Sequence, residues 1–113
     1  MDIRDGRRWP DRNNREEALR TYIMSSIADD YEELKMIFTT VGEWAEEDGL
    51  TFESKEIVVQ LSELIRAEHV QAYKLSSHPP HVIAADFSEA CAGDLWFMLT
   101  ASGRQALDQL DAS

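Results

Sequence analysis

The chain has 113 residues, 43% of them apolar, and 22 acids against 11 bases give it a net charge of −11. Such a composition is too apolar for a disordered chain and the length suits one core, so a single folded domain is expected. Cys91 is the only cysteine, which excludes an intrachain disulfide; no signal-like apolar run opens the chain and no stretch approaches membrane-spanning length, so a soluble, cytoplasmic protein without a membrane partner is expected.

The charge is unevenly placed. Residues 1–20 hold six arginines and five acids, a balance of +1, whereas residues 21–113 hold five bases and 17 acids, a balance of −12. A body this acidic repels a phosphate backbone, and it also keeps a small protein soluble.

Residues 1–13 are polar and broken by Gly6 and Pro10, which reads as a flexible N-terminal arm ahead of one domain over 14–113. Arg4, Arg7, Arg8 and Arg12 are the arm's candidate nucleic-acid contacts, although Asp2, Asp5 and Asp11 interleave with them. A helix is expected from Asn14, capped by Asn13 or Asn14, with Leu19, Tyr22, Ile23, Ser26 and Ile27 on one face. Asp29-Asp30 ends that pattern and can cap a second helix over Tyr31–Asp48, with Glu32 and Glu33 in its first turn. The apolar stripe of this second helix is Tyr31, Leu34, Ile37, Phe38, Val41, Trp44 and Ala45, and Gly49 is placed as a left-handed cap. Met36 points away from the stripe.

A third helix over 53–68, capped by Thr51 or Ser54, turns Ile57, Leu61, Leu64 and Ile65 to the core, with Val58 at the edge of that face. Its other side carries Lys55, Glu56, Val59, Ser62, Glu63 and Arg66, with Gln60 at the margin. His69–Leu75 alternates like a strand, with Val70 and Ala72 on one side. The Pro-containing interval 76–93 includes an extended Val82–Ala85 and a single helical turn over Ser88–Ala92. Leu95–Leu99 reads as a buried strand, and Thr100–Leu110 as a short helix with Leu107 and Leu110 inward.

This order, with Leu61-x-x-Leu64-Ile65 leading into His69–Leu75 and with Phe97-Met-Leu-Thr-Ala-Ser-Gly-Arg-Gln-Ala-Leu107, resembles the winged helix-turn-helix of PadR-like and MarR-like bacterial regulators. The resemblance covers about residues 15–110. It implies a mainly α fold with a small antiparallel β-sheet: a three-helix core, a β-wing and a short C-terminal helix. It also implies that Thr100 caps the last helix, that Gly103 allows close packing, and that helix 53–68 is the recognition helix. The sequence departs from the family in its long second helix, in His69 where glycine is common, and in a wing bearing Asp86, Glu89 and Asp94.

A recognition helix needs basic or amide side chains toward the bases and several cations for the phosphates. Here the outward residues Lys55, Glu56, Val59, Gln60, Glu63 and Arg66 sum to a neutral face, on which Val59 suits a protein contact. The expected function is therefore a non-catalytic regulatory or protein-interaction and dimerisation module, pairing through the first and last helices. The alternative is a sequence-specific DNA-binding regulator using helix 53–68 and the arginine-rich arm. His78, His81 and Cys91, with Asp86 or His69, could hold a metal, but closely spaced cysteine pairs are missing and exposed loop histidines are the preferred reading. Cys91 beside those histidines could be a nucleophile, yet Glu-Ala-Cys-Ala-Gly suits a small buried residue, and no phosphate loop or nucleophile elbow occurs. No enzyme, cofactor or metal is expected.

Overall fold

Residues 15–75, 82–85 and 95–112 are described by the computed structural model. The expected arm with Arg4, Arg7, Arg8 and Arg12, the helical turn over 88–92, and His78, His81, Asp86, Glu89, Cys91 and Asp94 lie outside the described residues.

Helix α1 spans Arg15–Ser26, with Glu16 and Glu17 in the first turn, where the helix dipole favours acid. It buries more than one stripe: Ala18, Leu19, Tyr22, Ile23 and Met24 are all buried, because α1 packs against three other helices. Ser26, expected on the inward face, is half-buried, and its hydroxyl donates to the Ile23 carbonyl at 2.7 Å.

The second helix starts later than the sequence pattern indicates. Glu32–Glu33 is a short strand, β1, and helix α2 runs over Leu34–Glu47. Two glutamates after an Asp-Asp break would suit a first helical turn, but Glu32 pairs with Phe97 and Glu33 with Trp96, so the ladder supplies the backbone partners instead. Tyr31 therefore leaves the helical stripe and meets Tyr73 edge-to-face, with ring centroids 5.1 Å apart. The remainder of the stripe holds: Leu34, Ile37, Val41 and Ala45 are buried, and Phe38 and Trp44 pack against them. Gly49, at φ +78°, closes α2 with its N–H on the Glu46 carbonyl and the Leu50 N–H on the Ala45 carbonyl at 2.7 Å, a Schellman arrangement.

Helix α3 spans Ser54–Arg66 and buries Ile57, Leu61 and Leu64. Neither Thr51 nor Ser54 is its cap. Glu53 takes that place, and its N–H is held by the Glu56 carboxylate at 3.0 Å, the bond by which the third helical residue of a capping box reaches back to the cap. The C-terminus repeats the Schellman pattern, with Glu68 N–H on Ile65 O and His69 N–H on Leu64 O, each at 2.9 Å. Here the left-handed residue is Glu68, at φ +66°, rather than a glycine.

The chain turns there into β2 (Val70–Leu75), followed by β3 (Val82–Ala85) and β4 (Trp96–Leu99). The described strands form one antiparallel four-stranded sheet in the order β1-β4-β2-β3. Val70, Ala72, Phe97 and Leu99 face the helices and are buried, each contributing on the order of 1–3 kcal/mol of hydrophobic burial according to size. The final helix, α4 (Ala101–Ala112), lays Leu107 into the core, with Leu110 packed beside it. No helix among the described residues is long and apolar enough to cross a membrane.

Candidate functional face of α3

The outward side of α3 is positioned by a clamp at its N-terminal end. One guanidinium nitrogen of Arg15, at the start of α1, donates to the Thr51 carbonyl at 2.7 Å and lies 3.0 Å from both Glu56 oxygens. The same guanidinium stacks 4.3 Å from the centre of the Phe52 ring. Glu56 is thus anchored from two directions. The Glu53 backbone N–H is the larger cause holding its pKa below the ordinary glutamate value; partial burial opposes that, and Arg15 adds to it.

The remaining residues of the face are dispersed. Lys55 is exposed and makes no ion pair with a described residue. Glu63 and Arg66 pair with each other at 3.2 Å on the helix surface, so the second cation of the face is partly neutralised. Val59 is 42% exposed, and Gln60 is half-buried between two depressions. The first, of about 350 Å³, lies between α1 and α3, and its mostly apolar lining includes Leu19, Phe52 and Val59, with Arg15 at its border. The second, of about 520 Å³, is more polar and is bordered by Arg20, Gln60, Glu63 and His69.

Two features of the face were not visible in the residue pattern. Glu56 reads as an outward acid but is tied to Arg15, 41 residues upstream in sequence, and is only half-buried surface rather than a free contact. The apolar depression beside Val59 depends on Phe52, which lies in the linker before α3 and falls outside any helical stripe.

The far end of α3 is joined to α4. The Thr100 hydroxyl donates to the Glu68 carbonyl at 2.7 Å and accepts the Gly103 N–H at 2.9 Å, while the Thr100 N–H reaches the His69 carbonyl at 3.0 Å. Thr100 is therefore the cap of α4. His69, weighed above as a metal ligand, has Nδ1 3.0 Å from the Ser102 hydroxyl, a structural contact. Among the described residues, no three His, Cys, Asp or Glu side chains come together in a way that could hold a metal ion.

Compared with protein-family models, with curated proteins and with solved structures, the chain matches none of them.

Proposed function

We propose that this protein is a non-catalytic winged-helix module that works through protein contacts in a regulatory setting, with the outward side of α3 as the contact surface. The observation that carries the reading is the pairing of charge on that side. Glu56 is held by Arg15 and Glu63 meets Arg66, which leaves Lys55 with Val59 beside an apolar-lined depression. An exposed apolar residue ringed by compensated charge suits a protein interface better than a phosphate backbone. The winged-helix shape is supported by the run of three helices into β2 and by β4 leading directly into a Thr-capped α4.

A duplex-DNA reader would need several uncompensated cations, since strong binders neutralise roughly six to ten phosphates. Fluorescence anisotropy against random and mixed-sequence duplexes over a salt series, using the full chain, separates the two. Negligible binding at physiological salt is expected. Tight binding with a steep salt slope would instead assign α3 and the arginines of residues 1–13 to DNA, and deleting residues 1–13 would then show which of the two carries the affinity. In the protein-contact reading, Val59→Asp weakens a partner or self contact while the fold stays intact; unchanged association removes α3 from the interface.

A further inference from the structure

The two edges of the sheet are built differently. β1 is two residues long and both are glutamates, so another strand meets charge at that edge. β3 reads Val-Ile-Ala-Ala and carries no charge. Ile83 is 45% exposed on one side of the sheet, and Leu75, paired with Val82 on the other side, is 51% exposed, so two of the four exposed large apolar residues among those described lie in this hairpin. Among the described residues no strand pairs with the outer edge of β3, and alternate residues of an edge strand direct N–H and C=O away from the sheet.

Charge singles out the same place. From His69 through Ala85 the sequence contains no Asp or Glu, in a chain that has 22, and Lys74 is the one formal charge. The other exposed apolar residues lie near acids: Val59 is on the helix side that carries Glu56 and Glu63, and Met36 follows Glu32-Glu33. Two bodies of charge −11 repel each other, and their least opposed approach is through the acid-free hairpin. The first and last helices, expected above as the dimer contact, meet at a depression of about 350 Å³ bordered by Arg20, Met24, Ala106 and Leu110, so the described apolar side chains there are recessed between them. α1 packs against α2, α3 and α4, and Leu107 and Leu110 of α4 are turned to the core.

We infer that β3 pairs antiparallel with β3 of a second copy, joining two four-stranded sheets into one continuous sheet. An antiparallel edge is self-complementary, because the same row supplies donors and acceptors to its twofold mate. Ile83 lies opposite Lys74, on the side of the sheet that carries the buried Ala72, yet the helices leave it exposed. In the pair, the two Ile83 side chains come together on that side and cover each other. The pairing deepens the protein-contact reading and rests on it, but places self-association on β3 and leaves the α3 face for another partner.

A four-residue edge is a small contact, at the weak end of specific interfaces, so association is sought over about 5–500 micromolar. Sedimentation equilibrium of the full chain should show the mass rising from 12.9 kDa towards twice that value across this range. Ile83→Lys should remain monomeric at every concentration with an unchanged thermal melt; if its melt falls, Ala84→Lys, also at an exposed position, replaces it. Amide exchange at Ile83 and Ala84 should slow as wild-type concentration rises. A monomer at every concentration overturns the pairing and leaves the edge to a strand from another protein. A dimer insensitive to the lysine variants, or β3 exchange independent of concentration, overturns it as well. A dimer lost with Val59→Asp alone moves the contact to α3 and keeps the protein-contact reading, whereas tight DNA binding by a dimer that Ile83→Lys dissociates does the reverse.

Discussion

Gly103→Ala tests the joint between α3 and α4, where the helix backbone meets the His69 carbonyl. A Cβ at Gly103 would stand 2.0 Å from the His69 carbonyl oxygen, 2.7 Å from Leu99 Cδ1 and 2.9 Å from the His69 carbonyl carbon. Two of these atoms are backbone, so no side chain can swing aside to make room. Reaching even a tight contact of about 3 Å requires α4 to withdraw by about 1 Å, against overpacking costs of about 1–3 kcal/mol. That movement stretches the Thr100 N–H bond to His69 O and the Thr100 hydroxyl bond to Glu68 O, each worth about 0.5–1.5 kcal/mol. Alanine's helix propensity returns about 1 kcal/mol. The net loss is about 2–4 kcal/mol, which for a domain of this size lowers the melting temperature by about 10–25 °C. Gly42→Ala is the control, since a Cβ there meets nothing within 4 Å on the exposed side of α2, and a gain of about 0.5–1 kcal/mol is expected. Urea titrations of both variants give the comparison. If Gly103→Ala fell within about 0.5 kcal/mol of wild type, the close approach of α4 to the His69 carbonyl would be refuted.

Glu68→Gly should stabilise the fold by about 0.5–1 kcal/mol, because Glu68 holds a left-handed conformation at φ +66° that glycine adopts without a steric cost; a loss in urea titrations would show that its side chain matters more than its backbone. Glu56→Gln should cost up to about 1 kcal/mol near neutral pH, the scale of a partly exposed ion pair with backbone support. The folded pKa of Glu56 lies below its unfolded value, so the advantage of wild type is fully present above the ordinary glutamate value of about 4.3 and fades as pH falls through the folded pKa. Paired denaturation curves from pH 7 down to about pH 3 should show the gap closing, and a constant gap would mean that the glutamate charge is not what Arg15 and the Glu53 N–H hold.

The elements that could be read from the sequence were those whose signal is local. Ile57, Leu61 and Leu64 repeat at helical spacing and are buried as a group, and Val70 and Ala72 alternate as a half-buried strand should. The roles of Thr100 and Gly103 were expected only through the resemblance of the Phe97–Leu107 stretch to winged-helix regulators, and the contacts place a cap at the first and a close approach at the second. β1 was not legible. Glu32-Glu33 has no strand propensity, and it is extended only because β4, more than sixty residues later, offers it a ladder. The cap of α3 escaped for a related reason, since Thr51 and Ser54 are the better intrinsic caps and the Glu53–Glu56 pair wins through Arg15 on another helix. On the outward side of α3, the exposure of Lys55, Val59, Glu63 and Arg66 follows from helical spacing, but the pairing of Glu56 does not, because its partner Arg15 lies 41 residues away.

That dependence bears on what the face can do. Arg15 is the described arginine nearest the N-terminal end of α3, where a groove-reading helix would need a cation, and its guanidinium is committed to Thr51, Phe52 and Glu56. Releasing it to a phosphate would leave the Glu56 carboxylate without its cation and weaken the packing of α1 on α3. Binding DNA through this end would therefore cost folding stability, whereas a protein partner that covers Val59 and Phe52 leaves the clamp in place and shields it from water. The β3 pairing is compatible with the second case. The proposed pairing would use the sheet edge, whereas the outward side of α3 is turned away from the core that the sheet lines, so a copy paired that way would still leave Val59 and Phe52 uncovered.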